Sequence, residues 1–423
     1  MNEEFLHYVW QYQLLSIKNL QTTNKESLVV VKPGTHNLNS GPDFLNSEII
    51  IENQYWVGNV EIHLHASDWY QHHHETDKNY DATILHVVWF NDVAIFMKNN
   101  LPIPVLVLQD CILSSALNNY RNLFTIESRW ILCEKEINNI DSFILNNWKE
   151  RLFFERLERK SDEINTLLMR ETHNFEAVLF QLLAKNFGLK INQEAFLRLA
   201  QSIDFSIIQK VSFNQHQFSA LLFGQAGFLE QSIEDEYYLT LKKEYNYLKH
   251  KHQLEPISSN LFSFFRMRPN NFPTIRIAQL VSLYNVQQNL FSKIMEIDTV
   301  EDFYTTFSTS VPLFWKTHYS FESNSKLSSK KLTKSFIDLL IINTIIPLKF
   351  LYQKSKGAVD EDFFLMLLQK IKPEKNNIIS KFSALNMVAK NAFDTQALLE
   401  LKNNYCTPKR CLACAIGLKV LER

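Results

Sequence analysis

The chain has 423 residues, 46% of them hydrophobic and 21% charged, with a formal net charge of −1; this composition excludes a disordered or fibrous protein, and the length exceeds what one hydrophobic core usually organises. The near-neutral total hides a division, because residues 1–110 hold 13 acidic against 5 basic side chains and 8 of the 13 histidines, leaving the remainder at +7. Such an acidic region repels phosphate, so direct binding of nucleic acid there is excluded unless bound cations or the basic remainder supply the attraction.

Residues 3–18 place Phe5, Tyr8, Val9, Tyr12 and Leu15 at helical spacing and predict an amphipathic opening helix. The period then changes. Segments 28–31, 47–52, 56–65 and 83–90 are β-branched or aromatic runs bounded by Gly, Pro, Asn and Asp, which predicts strands. The polar stretch between His65 and Tyr80, opening Ser67-Asp68-Trp69, reads as a short capped helix or a long loop, and 103–108 as a closing extended piece. Three of the 8 glycines, Gly34, Gly41 and Gly58, fall in this module, which concentrates special backbone geometry there.

After Cys133 the text is helical almost throughout, with Asp141, Asn174 and Ser212 as expected caps. The fold class is therefore α+β: an N-terminal mixed sheet module over 1–132, ordered helix, three strands, connector, strand, followed by a large all-α region over 133–423 that carries a cluster of cysteines at its end. Segment 322–331 is rich in Ser and Lys and is expected as an exposed linker. The most apolar window, 336–351, is interrupted by Asp338, Asn343, Pro347 and Lys349; it is too polar for a membrane span and is expected as a buried helix ending at the proline. Met1-Asn2-Glu3-Glu4 is acidic where a secretory signal is basic, and five cysteines without an export signal fit a reducing compartment, so a cytoplasmic location is expected.

Strand alternation puts Glu61, His63 and His65 on one face of 56–65 and Val60, Ile62 and Leu64 on the other, which belongs to the core. A carboxylate and imidazoles gathered on one face are solvated, mutually paired or bound to a cation. The segments Gly41-Pro42-Asp43-Phe44 and Gly58-Asn59-Val60-Glu61-Ile62-His63 resemble the PD-(D/E)XK nuclease superfamily, whose core runs helix, three strands, helix, strand. The resemblance implies that Asp43 and Glu61 hold Mg²⁺ or Mn²⁺ for phosphodiester hydrolysis. His63 stands where that superfamily has lysine, so it would act as base or as a third ligand. The other reading is a solvated strand face beside a Gly-Pro turn.

Asp68-Trp69-Tyr70-Gln71-His72-His73-His74-Glu75 offers a second imidazole group, either a ligand set or a solvated loop. His86, in the apolar strand 83–90, needs a buried partner or a place at the metal beside Glu61. Cys406, Cys411 and Cys414 have the spacing of a zinc site or of three corners of an iron–sulfur cluster, and Cys133 is the better fourth ligand than Cys111. Some nucleases of the superfamily named above carry an iron–sulfur cluster on one upstream and three C-terminal cysteines, and this layout is similar to theirs; three ordinary thiols are the alternative. Arg266-Met267-Arg268-Pro269 through Arg276 is either an anion site at a helix start or a rigid turn locking two helices.

Taken together, these motifs resemble an uncharacterised bacterial family catalogued as domain of unknown function 2851. The expected function is a metal-dependent phosphodiesterase or nuclease-like enzyme whose partner is nucleic acid, bound through Lys and Arg of the helical region. The alternative is a non-catalytic, metal-stabilised binding module for nucleic acid or a protein; no membrane partner is expected.

Overall fold

A computed structural model describes residues 2–16, 20–37, 40–124 and 129–422. The opening helix, α1 (Glu3–Gln11), is shorter than its apolar spacing suggests. It is capped by the Asn2 side chain, which accepts from the Phe5 N–H, and it buries Phe5, Leu6, Tyr8, Val9 and Trp10. It stops because Gln13 takes a left-handed φ of 51°. Residues 17 and 18 of the expected helix lie outside the described residues.

Six strands follow: β1 (Leu28–Lys32), β2 (Thr35–His36), β3 (Phe44–Ile51), β4 (Gln54–His65), β5 (Thr83–Phe90) and β6 (Val105–Val107), in one sheet of order β1-β3-β4-β5-β6, with β2 also on β3. The pairs of β3 with β1, β2 and β4 are antiparallel, as short connections allow; β4–β5 and β5–β6 are parallel. The β4–β5 crossover is the polar stretch, which contains the short helix α2 (Asp68–Gln71). A further helix, α3 (Ser114–Phe124), follows the sheet.

Contacts divide the chain into two units: Met1–Glu150, Lys381–Met387 and Leu399–Arg423 form the first, and Arg151–Ser380 with Val388–Leu398 the second. This differs from a single boundary at 132/133, and it moves the terminal cysteines from the helical region to the sheet unit. The physical reason is tethering of the chain's end. Tyr8 Oη donates to the Leu418 carbonyl, Asn119 Nδ2 to that of Leu421, and Lys402 Nζ to that of Trp130, while Ile416, Val420 and Leu421 of the terminal helix Ala415–Leu421 are buried.

The second unit is helical. Its core includes α5 (Phe175–Phe187), capped by Asn174, and the helix Pro273–Val286, whose residues from Pro273 to Tyr284 are all buried; α4 (Ser142–Arg170), begun at Asp141, enters it from the first unit. The capping residue before the helix Gln215–Gln225 is Asn214, not Ser212. The apolar window does not end at Pro347. A π-turn at Ile341–Ile345 precedes the proline, which occupies the first turn of a helix continuing to Ser355; a proline there costs no needed N–H. Among described residues, Lys334–Ser355 is long and apolar enough to cross a membrane, and 67% of its most apolar window is buried inside the protein. The expected linker 322–331 is anchored: Lys330 is 5% exposed, and its Nζ donates to the carbonyls of Trp315 and His318 and to Ser325 Oγ.

Candidate metal centre

Two backbone devices build the site. Gly41 adopts a φ of +105°, open to glycine and strained for other residues, and turns the chain so that Asp43 lands just before β3. Asp43 and Glu61 then hold each other by crossed bonds: the Asp43 N–H donates to Glu61 Oε2 at 3.1 Å, and the Ile62 N–H donates to Asp43 Oδ2 at 2.9 Å. The two carboxyl groups predicted to converge are thus side by side across the β3–β4 pair, where Phe44 faces Val60.

Alternation puts Glu61 and His63 on one face of β4, but that face is not solvated. Glu61 is 4% and His63 2% exposed. The crossover covers them: α2 opens where Asp68 accepts from the His65 N–H, Trp69 is buried, and His73 takes a φ of 61° that swings the chain back so that the His74 N–H reaches the Trp69 carbonyl. His65 lies beyond this cover, half exposed beside Asp92.

The turn delivers two imidazoles to Glu61 and His63. His72 Nδ1 lies 3.2 Å from His63 Nε2, His74 Nε2 3.3 Å from Glu61 Oε1, and His63 Nε2 3.4 Å from the same oxygen. One ring nitrogen from each of His63, His72 and His74 falls within 4.8 Å of the others. A tetrahedral ion with ligands at about 2.0–2.2 Å sets its donors roughly 3.4 Å apart, close to the His63–His72 separation of 3.2 Å, while the three imidazoles as a group are held within 4.8 Å. His74 Nε2 is buried and makes no hydrogen bond despite its distance from Glu61. An orphaned nitrogen at that spacing suits ligation better than pairing.

The remaining neighbours are layered around this group. His86, fully buried and paired in register with Glu61 across β4–β5, presents Nε2 at 2.8 Å to His63 Nδ1; that contact is the buried hydrogen bond expected as one of its two readings and suits a residue that orients a ligand ring. Tyr80 stacks on His74 with ring centroids 3.8 Å apart. From α1, His7 Nε2 approaches Asp43 Oδ2 to 3.2 Å, within ion-pair range but without hydrogen-bond alignment.

Electrostatics follow from burial. Desolvation, reinforced by the Asp43 carboxylate, pushes the Glu61 carboxyl up to about 9. Desolvation, with His74 and His72 nearby, lowers His63 to about 4, and burial lowers His74 and takes His86 far below the usual imidazole range. Burial also lowers His7, but Asp43 outweighs it and the net direction is upward. Without a cation, burial favours neutral imidazoles at His63, His74 and His86 and the protonated form of the Glu61 carboxyl. A cation would exchange that proton for its own charge.

The sequence pointed to Asp43, Glu61 and His63, and the structure joins them. It left His72 and His74 open between ligands and loop, and it did not single out His7. A His-x-His pair has no fixed direction outside regular structure, and a histidine on an amphipathic helix carries no signal until a carboxylate is found beneath it.

The other predicted group also comes together: Cys133, Cys406, Cys411 and Cys414 line one cavity, whereas the Cys111 thiol lies apart and donates to the Val107 carbonyl. Of the two readings of the arginine–proline segment, the anion site is not supported at Arg276, which is buried against the Phe336 ring and donates to Gln279 Oε1 and Asn271 Oδ1. That is the rigid-turn alternative.

The fold and these side chains define an α+β protein whose sheet carries a buried histidine–carboxylate cluster. Residues 3–377 match the family described as protein of unknown function (DUF2851), and the chain belongs to that family. The matched region ends before the terminal cysteines, so the family resemblance does not extend to them. No curated protein and no solved structure matches the chain.

Proposed function

We propose that the protein is a metal-dependent phosphodiesterase of the nuclease kind, acting on nucleic acid in the cytoplasm. The observation that supports this reading is the convergence of Asp43, Glu61, His63, His72 and His74 about β4, in a module whose opening helix, antiparallel path β1-β3-β4, crossover and parallel β5 resemble the nuclease-like core. His63, His72 and His74 would hold the ion, with the Glu61 and Asp43 carboxyls beside them. Three imidazoles suit Mn²⁺, Fe²⁺ or Zn²⁺ and do not suit Mg²⁺, which keeps oxygen ligands. Such an ion supplies Lewis acidity toward a phosphoryl oxygen and lowers the pKa of water.

The chain's own groups divide the remaining work. Asp43 is the carboxylate with access to solvent, its side chain 21% exposed, so its free oxygen can orient an attacking water. His7, held in its charged form more readily than a free imidazole, can keep a proton on Nε2 for a leaving oxygen and offset the acidity of the site. Trp69 and Tyr80 exclude water from the far side of His74.

The test is cleavage of single- and double-stranded DNA and of RNA by purified protein with Mn²⁺, Zn²⁺ or chelator. Metal-dependent cleavage abolished by Asp43→Ala and by Glu61→Ala is expected; cleavage that persists in either variant removes the assignment. A second reading, a metal-stabilised binding module without turnover, is favoured by the burial of Glu61 and His63. It predicts metal-dependent binding of the same nucleic acids with no cleavage in the native protein.

A further inference from the structure

A second centre lies in the same unit, distinct from the histidine cluster. Cys133 belongs to a tight turn whose carbonyl accepts from the Glu136 and Ile137 N–H groups. Far downstream in the sequence, Cys406 closes the π-turn Leu401–Cys406, Lys409 takes a φ of 59°, and the short turn Cys411–Ala413 delivers Cys411 and then Cys414 at the start of the terminal helix. All four thiols line one cavity, otherwise walled mainly by apolar groups such as Leu132, Leu401 and Ile416. Gly417 makes this approach possible, since a Cβ there would lie 2.2 Å from the Cys411 carbonyl oxygen. None of the four is in a disulfide.

Four buried thiols in an apolar cavity need a reason to gather. A hydrophobic core fills such a space with Leu or Val; four converging sulfurs from two distant segments are the donor set of a thiolate-held metal centre. Spacing separates the two kinds. A single zinc with Zn–S of about 2.3 Å pulls its sulfurs to roughly 3.8 Å from one another. Among the described residues, only His63, His72 and His74 form a group of three or more ligand atoms within 4.8 Å of each other, so no three of these thiols are that close. A cluster, in which each sulfur meets a different iron or shares one of several, sets its cysteines farther apart. Lys402 and Lys409 stand near Cys406 and Cys411 and offset the negative charge of such a group.

We propose that Cys133, Cys406, Cys411 and Cys414 ligate an iron–sulfur cluster that fastens the C-terminal segment to the 131–137 turn of the sheet unit. Each thiol gives up its proton and donates through Sγ to iron; ferrous and ferric iron and inorganic sulfide come from outside the chain, so the cluster assembles at its resting oxidation level with no further oxidant and no residue oxidised or reduced. The cluster's role is to close a unit assembled from separated pieces of sequence, because metal binding to distant ligands contributes folding free energy.

Full-length protein purified without oxygen, or reconstituted with ferrous and ferric iron and sulfide, is expected to show the broad visible absorption of thiolate-to-iron charge transfer, with iron and acid-labile sulfide in stoichiometric amounts. Cys411→Ser and Cys133→Ala should each lose the colour and lower the thermal midpoint; Cys111→Ser should keep both. Colourless native protein with zinc or with no metal at these cysteines overturns the assignment, as does iron–sulfur absorption that survives in both variants. The native measurement stands if a variant fails to fold, and none of these readouts depends on nucleic-acid cleavage or on the histidine centre.

Discussion

Replacing Glu61 by glutamine should move the stability of this protein in opposite directions with and without metal. In the metal-free protein the Glu61 carboxyl, at about 9 folded against 4.5 unfolded, binds its proton more tightly in the folded state. Its contribution is therefore fully present below pH 4.5 and is lost as pH rises toward 9. At pH 7 the loss covers 2.5 pH units, and at about 1.4 kcal/mol per unit this is on the order of 3 kcal/mol. His63, lowered from 6.5 to about 4, acts with the opposite slope but only below pH 6.5, whereas His7, raised above 6.5, acts with the same slope as Glu61 in the window from 6.5 to 9; the comparison with a Glu61 variant that keeps His7 isolates Glu61. Glu61→Gln removes the titration, keeps an acceptor for the Asp43 N–H and brings an amide donor to the orphaned His74 Nε2. The variant should be more stable than the native protein after chelation at pH 8, with little difference at pH 5, and it should gain much less from added Mn²⁺ or Zn²⁺. Urea unfolding followed by tryptophan fluorescence, with Trp10, Trp69 and Trp89 buried in the sheet unit, measures this. A chelated variant less stable than native protein at pH 8, or native stability that does not fall between pH 6.5 and 9, refutes the reasoning.

Three further outcomes are expected. His86→Leu removes the partner of His63 Nδ1 and should weaken metal affinity about 10- to 100-fold in calorimetric titration, the usual effect of losing an orienting hydrogen bond; unchanged affinity would show that His63 is positioned without it. Gly58→Val puts a Cβ 2.4 Å from Ile84 Cγ2 and 2.6 Å from the Ala82 carbonyl oxygen, so it should cost about 1–3 kcal/mol in denaturant unfolding through overpacking of the β4–β5 approach. Arg276→Met strips the partners of Gln279 and Asn271 and the cation over Phe336 and should destabilise the helical unit by about 2–4 kcal/mol. Added phosphate should leave the melting of that unit unchanged in native protein, since Arg276 is occupied internally; stabilisation by phosphate that disappears in Arg276→Met would restore the anion-site reading.

Local signals carried much of the fold. The β-branched runs at 28–31, 47–52, 56–65 and 83–90 appear as strands because period-two alternation and bounding Gly, Pro and Asn act over a few residues. Helix lengths were less legible: α1 stops at Gln11 where a left-handed residue intervenes, and the 334–355 helix continues through its proline after a π-turn at Ile341–Ile345. Lys330 looked like linker lysine because hydrophilic composition says nothing of three acceptors waiting in a folded loop.

Strand alternation marked Glu61 and His63 as one face, the nuclease-like resemblance added Asp43 to them, and spacing marked Cys406, Cys411 and Cys414 as another group. The tertiary structure decided what joins them: His7 from a helix, His72 and His74 from a crossover, His86 behind His63 on the neighbouring strand, and Cys133 from far upstream of the terminal turns. Chain periodicity encodes which face a side chain occupies over a turn or a strand. Which distant face lies opposite is set by how the whole unit closes, and that is where both candidate centres complete their ligand sets.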